Sequence, residues 1–589
     1  MDFFVFVRRA TRRDRVLAFL ALAFAAQNAF AIVLPKTRHV GPSATNCDFT
    51  TIKDAIDAAN SGDTILIDAG GTYAAQHLTI DKSLAIGAGA CQLVIGGKPD
   101  TAQANPLVTI SGNSGAVSAV ITVTGAASVS LNDLKITGNT NANDGGGIEH
   151  TSSGKLTLNN VTVTGNTGKN GGGVDVVGTA DLQIGNDTQI VGNTANLAGG
   201  GIRFASTGNL TASGTGNLIG NNHAPNSFGG GLFIDGGVAT LTATGIGSLP
   251  LFYLNNAASG GGIAIRGAVT QTAALNLGDV SGNAIVIDNN VASIKGGGLY
   301  LLPYDDGTFR HAARISAFNV RLTTNAAPDG AALYADCPNG AATCANFNAL
   351  MMETDGCTGA ACSAIRGNIA SSPNGAVVAA KSTYVELANT RVENNSGAYV
   401  AHLTSDAQML AVESLFDGNS TTQELMFSEG SILQIYQSTL GANDVGAMQL
   451  LNVQGVEFDM VNSVAFTNLT LLKQSNLAIE TVNNVVSPNI NGLPVADDIV
   501  LGDPVFVDSA HGDYRLRVAT DGKAFSISPA VDFSASNDDS QDIDGRARPK
   551  DVPNVTNRFG AYDLGAFEMQ PIIDRVFANA FGDPYLLAQ

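Results

Sequence analysis

Glu149, Asp175, Arg203 and Asp235 fall in four successive short apolar segments, each following a cluster of glycines, and Arg266 continues the series. Segments such as Val174-Asp175-Val176, Ile202-Arg203-Phe204, Leu232-Phe233-Ile234, Ile263-Ala264-Ile265 and Leu299-Tyr300-Leu301 read as strands. With period two, their outer members point inward, while Asp175, Arg203, Phe233, Ala264 and Tyr300 point outward. Carboxylates on adjacent strands of a stack lie ~5 Å apart, close enough to hold Ca²⁺ or to act as acid and base on a sugar. Glu149, Asp175, Arg203 and Asp235 are therefore the candidate catalytic line. The alternative is a solvated charge ladder in which Asp175 pairs with Arg203 across adjacent strands.

Other chemistry is sparse. Asp538, Asp539, Asp542 and Asp544 form an acidic cluster that is a candidate calcium site, although their spacing departs from an EF-hand loop and a solvated acidic turn is the competing reading. The seven histidines are scattered, with no His-Glu-x-x-His helix and no nucleophile elbow. Tryptophan is absent, which weakens the case for a groove that stacks on sugar rings. No cofactor is implied beyond that calcium. Cys47, Cys91, Cys337, Cys344, Cys357 and Cys362 are even in number, as disulfides require, and sequence leaves ~15 pairings open. Proximity suggests Cys47 with Cys91, Cys337 with Cys344 and Cys357 with Cys362, a zinc site being the alternative for the last four.

What must position these residues is a repeat. An apolar residue, two small or polar residues and an asparagine recur at Asn139, Asn166, Asn193, Asn221, Asn255, Asn290, Asn325, Asn368, Asn395, Asn419 and Asn443. The intervals run 27, 27, 28, 34, 35, 35, 43, 27, 24 and 24 residues, and a glycine cluster follows the first six copies, with a single Gly330 after the seventh. Such a period marks a solenoid whose units bury their apolar faces only by stacking. A coil of this length fits three short strands and three turns, and neither a leucine pattern nor a 3.6-residue period recurs. The expectation is an all-β chain, a right-handed parallel β-helix of about 15 or 16 coils at ~4.8 Å each. Asparagine tolerates the left-handed turn, and its amide donates to one coil and accepts from the next, predicting a buried structural ladder. The longer intervals mark loops at 245–252, 271–284, 303–310 and 337–362. Such projections are where recognition resides on a regular solenoid, and the cysteine-rich 337–362 segment is the preferred one, a protease-resistant staple being the stronger competing reading of it.

The ends differ from the repeat. Residues 1–31 combine Arg8, Arg9, Arg12, Arg13 and Arg15, an apolar run from Val16 to Ala26, and Ala29-Phe30-Ala31, the layout of an export signal. Its run is too short for a stable anchor, so no transmembrane helix is expected once the signal is removed. Residues 32–62 are expected to cap the solenoid through a short helix over 49–60, with Thr50 or Asp48 as N-cap and Phe49, Ile52, Ile56 and Ala59 on one face. The β-helix proper is expected over 63–486, an irregular C-terminal capping segment over 487–568, and a tail over 569–589. The whole chain carries a net charge of −20, and removal of the signal leaves 26 basic against 49 acidic side chains, a charge of −23. That surface repels phosphate backbones and excludes nucleic acid as a partner.

The helix at 49–60 with the following strand resembles the N-terminal cap of pectate-lyase-like right-handed β-helix proteins. Gly145-Gly146-Gly147-Ile148, Phe252-x-x-Asn255 and Phe416-x-x-Asn419 are similar to the repeats of polymorphic outer-membrane-type surface proteins. The unit from Asp503 to Glu568, with Asp544-Gly545-Arg546-x-Arg548-Pro549 and Asp563-x-Gly565-Ala566-Phe567-Glu568, resembles the closing segment of the choice-of-anchor Q proteins. These resemblances imply an exported protein, secreted or on a bacterial cell surface or outer membrane. Its expected role is structural or adhesive, with an extracellular glycan or a surface protein as partner. A polysaccharide lyase or glycosidase, and glycan binding without turnover, are the alternatives, and the oligomeric state is left open.

Overall fold

A computed structural model describes residues 34–42, 47–91, 107–247, 249–268, 271–278, 284–305, 310–337, 349–354, 363–520, 525–536, 540–552 and 555–569. The chain winds as a right-handed parallel β-helix with three long sheets running its length. Among the described residues a broad sheet holds 27 strands, a second sheet 14 and a third 12. Fourteen rungs in the second sheet give a rod of roughly 60 Å at ~4.8 Å per coil.

One coil explains the rest. Lys155–Thr164 lies in the broad sheet and bends at Asn160, whose φ is +48°. Gly165, at φ +63°, and Asn166 turn the chain into Thr167–Gly168 of the third sheet. A glycine triplet then leads into Val174–Gly178 of the second sheet. Alternating Leu, Ile and Val fill the interior as one continuous core, for instance Leu156, Leu158, Val161 and Val163. The triplet has two causes, seen in the coil of Gly229 to Gly231. Gly229 sits at φ +67°, and a Cβ on Gly230 would come within 2.4 Å of the Gly261 carbonyl oxygen.

The interior asparagines form a hydrogen-bonded ladder. The Asn166 N–H donates to Asn193 Oδ1 at 3.1 Å, and the Asn166 amide donates to the same oxygen at 3.1 Å and to the Ile136 carbonyl at 3.1 Å. The pattern continues from coil to coil to Asn443, with one correction to the sequence reading. The ladder residue of the fourth copy is Asn222, which takes the Asn193 N–H at 3.0 Å and donates to Asn255 at 3.1 Å. Asn221 instead occupies the left-handed position, φ +51°, that Gly138, Gly165 and Gly192 fill in the preceding coils. Ile219 lies three residues before Asn222, the same offset that separates Ile190 from Asn193.

At the N-terminal end the helix spans Ile52–Ala58 and is capped by Thr51, rather than by Thr50 or Asp48. Thr51 accepts the Asp54 N–H at 3.1 Å and its hydroxyl donates to the Asp54 carboxylate at 2.7 Å. Phe49 falls outside the helix and bridges to Val40 of an earlier strand, Thr37–Val40, which the sequence reading did not anticipate. That strand pairs in parallel with Thr64–Ile67. Cys47 and Cys91 are disulfide-bonded, with their Cα atoms 5.1 Å apart. Cys337 is disulfide-bonded and buried; Cys344, Cys357 and Cys362 lie outside the described residues, as do residues 1–33 and 570–589.

Beyond the last coil the chain returns along the flank of the broad sheet. Outward-facing Leu415, Val464 and Val486 share a core with Phe506, Tyr514, Phe533, Leu564 and Phe567. The Tyr514 hydroxyl donates to Asp417 at 2.5 Å and accepts the Ala442 N–H at 2.7 Å. Arg391 pairs with Asp544 at 2.7 Å, and Arg548 lies fully buried 3.4 Å from Glu413 of the solenoid.

Candidate functional site

The outward face of the second sheet carries the candidate catalytic line, and the parallel register decides who meets whom. Glu149, Asp175 and Arg203 stand directly above one another. The next position is Phe233, not Asp235, which lies two residues further along its strand and pairs with Arg266 in a neighbouring column. The four residues therefore form two separate groups rather than one line.

In the first group, Arg203 grips Asp175 with two bonds, Nε to Oδ1 at 2.5 Å and Nη2 to Oδ2 at 2.8 Å, and reaches Asp144 Oδ2 at 3.2 Å. Asp175 is completely buried. Burial pushes its carboxyl upward, and the Arg203 hydrogen bonds and charge oppose that shift. Glu149 is raised as well, first by burial and then by the charges of Asp175 and Asp144. A retaining glycosidase needs two carboxyl groups free to face one sugar carbon. Here both Asp175 oxygens are occupied by a guanidinium, so the pair Glu149 and Asp175 does not meet that requirement. In the second group Arg266 binds Asp235 in the same two-bonded manner, at 2.9 and 2.7 Å.

Above these charges stands a column of rings. Ala264 leaves a gap between Phe233 and Tyr300, and Phe228, at the end of the third-sheet strand His223–Phe228, fills it, its ring 5.7 Å from each. Tyr334 extends the stack at 5.9 Å. The Arg266 guanidinium lies 5.3 Å from the Phe233 ring, and Lys295 sits 4.0 Å over Tyr334 and donates to its hydroxyl. Further along, His402 stacks on Phe427 at 5.1 Å beside Tyr399. Burial lowers the His402 pKa, against the charges of Asp329, Glu429 and Glu424. Burial also pushes the Tyr300 phenol up to about 12, with the Asp336 charge adding to the effect. The hollow at Phe228, Ala264, Arg266 and Leu302 encloses about 140 Å³, well below the ~300 Å³ at which small-molecule pockets begin. At these residues the face is thus ridged rather than deeply cleft.

Searched against models of known families and against curated protein sequences, the chain matches none. Function rests on this geometry.

Among the described residues no group of three or more His, Cys, Asp or Glu is placed to hold a metal ion. Of the calcium candidates, Asp538 and Asp539 lie outside the described residues. Asp542 accepts the N–H groups of Asp544, Arg546 and Glu568 at 3.0, 2.7 and 3.0 Å, and Asp544 pairs with Arg391. Both carboxylates therefore hold the C-terminal segment's turns and its contact with the solenoid.

Sequence reasoning placed Phe233 and Tyr300 outward yet missed the stack, because Phe228 enters it from the end of a third-sheet strand whose register is irregular, so period two does not apply. It also missed a polar group on the broad sheet. There Gln434 Nε2 donates to Asp459 Oδ2 at 2.9 Å and to Glu457 at 3.3 Å, and the Tyr436 hydroxyl donates to Asp459 Oδ2 at 2.7 Å. The 24-residue interval from Asn419 to Asn443 was the available signal, since a similar step carries Gln434 to Asp459. No helix of the described residues is long and apolar enough to cross a membrane.

Proposed function

We propose that the chain is an exported, cell-surface or secreted rod that makes adhesive contacts with an extracellular glycan through its outward faces and does not turn that glycan over. The observation that carries this reading is the engagement of Asp175 and Asp235 by Arg203 and Arg266, which leaves the strongest catalytic candidates without a free acid and base. The rings and charged side chains repeat rung by rung and give an extended ligand many shallow contacts in place of one deep pocket. Residues 1–31 supply the export signal in this reading, and the segment from Asp503 to Glu568 supports placing the protein with the choice-of-anchor Q group of exported β-helices.

The test is to incubate the protein with neutral and acidic glycans and measure binding and released product together. Binding without product supports the reading. Product that disappears in Asp175→Ala, with the fold intact, sinks it in favour of a lyase or glycosidase. Cell fractionation with and without residues 569–589 tests the surface location.

A further inference from the structure

Several carboxylates on the outward faces follow a pairing rule, each with a cation one coil away. Asp175 has Arg203, Asp235 has Arg266, Glu393 has Arg366 and Asp336 has Lys381 at the register position next to it. Glu457 and Asp459 break this rule. They stand two residues apart on the outward side of the strand Glu457–Ala465. Below them lie Ile432 and Gln434, and above them Ile479 and Thr481, none of which is charged.

Asp459 is 5% exposed, and its Oδ1 has no hydrogen-bond donor within reach. Its other oxygen takes the amide of Gln434 and the hydroxyl of Tyr436. Burial first, and then the Asp459 charge, raise the Glu457 carboxyl above its ordinary value, against the hydrogen bond from Gln434. The site is thus rich in acceptors on a chain of net charge −20, and the neighbouring rungs supply no cation.

We infer that Glu457 and Asp459 form a binding site for a primary ammonium group, supplied by an extended glycan of amino sugars whose amines are free rather than acetylated. An ammonium brings three N–H donors, which the Glu457 and Asp459 oxygens can accept. A divalent cation fits less well, since two carboxylates fall short of the six to eight oxygens calcium takes. The setting favours a chain of sugars. The face is flat, and Tyr384 with Glu386, then Gln408, then Gln434 with Tyr436 follow one another on the coils leading to the pair. Gln408 donates to Gln434 at 3.0 Å and Tyr384 to Glu386 at 2.8 Å, so hydroxyl- and amide-binding groups recur at each step of ~4.8 Å.

The inference rests on the reading of the chain as a glycan-binding rod, and the test separates the two. Fully deacetylated and fully acetylated glucosamine hexamers are titrated by calorimetry into the whole protein, with a lysine-rich peptide and Ca²⁺ as further titrants. The expected result is binding of the deacetylated hexamer at least tenfold tighter than the acetylated one. Glu457→Gln and Asp459→Asn should each remove that preference while melting within a few degrees of the parent. Equal affinity for both hexamers, untouched by either substitution, overturns the site and leaves the wider reading standing. Tighter binding of the peptide or of Ca²⁺ assigns the pair to another cation and also overturns the proposal. Binding of no glycan at all overturns both.

Discussion

Two stretches of the solenoid's outer surface partner their carboxylates differently. On the second sheet, Asp175 and Asp235 are each clasped by an arginine from the next coil, and a stack of rings closes over the alanine gap beside them. On the broad sheet near the C-terminal end, Glu457 and Asp459 face only Ile, Gln and Thr on the adjoining rungs. Residue types that look alike in a list are therefore paired with a cation in the first place and without a charged partner in the second. The register across coils, rather than identity along the chain, separates them.

The first way to break this comparison is to remove one half of a clasped pair. Arg203→Ala leaves Asp175 buried without its cation, and the expected loss is about 3 kcal/mol by chemical denaturation, because an uncompensated buried charge remains. A loss below about 0.5 kcal/mol would make the pair an ordinary surface contact. The next effect sharpens the contrast between inside and outside. Asn222→Ala should cost about 2–3 kcal/mol by stranding buried ladder partners, whereas Asn221→Gly should be neutral within about 0.5 kcal/mol or slightly stabilising. Equal effects at the two positions would contradict the ladder register. Smaller again, Phe228→Ala opens the gap above Ala264 and should cost about 2 kcal/mol, read as a lower melting temperature.

The C-terminal segment provides a pH-dependent version of the same comparison. Burial pushes Glu568 up to about 7 and Asp532 to about 6, and it raises Asp542 and Asp563 as well. The Arg548 charge and backbone N–H groups oppose the shift at Glu568. These folded values lie above the ~4 of an unfolded carboxyl. Their contribution is fully present below about pH 4 and is lost as pH rises through about 6 to 7. Amide exchange across 503–569 should accordingly be slower at pH 5 than at pH 8, after correction for intrinsic rates, by severalfold. The solenoid interior around Asn290 should show no such dependence.

Much of the fold was legible because the interior is repetitive. The glycine triplets, the intervals between asparagines and the alternation in segments such as Val174-Asp175-Val176 fix the coil and its inward residues. Asn221 was misread because two adjacent asparagines satisfy the turn and the ladder in succession, and only the offset from Ile219 tells them apart. The site was less legible for a physical reason. Insertions change coil length between 222 and 368, so the step that brings Phe233 rather than Asp235 above Arg203 is not constant in sequence. Thr37–Val40 escaped notice because it precedes the repeat and carries no glycine punctuation. The docking of Tyr514 on Asp417 spans 97 residues, and nothing local announces it.

The most direct test of the central claim, that the second-sheet carboxylates hold coils together and perform no catalysis, is a paired measurement on Asp175→Asn. Its melting temperature and its release of product from a glycan panel are compared with those of the parent protein. A clear fall in melting temperature, with no product released by either protein, is the expected result. Product released by the parent and abolished in Asp175→Asn, at an unchanged melting temperature, would contradict the account.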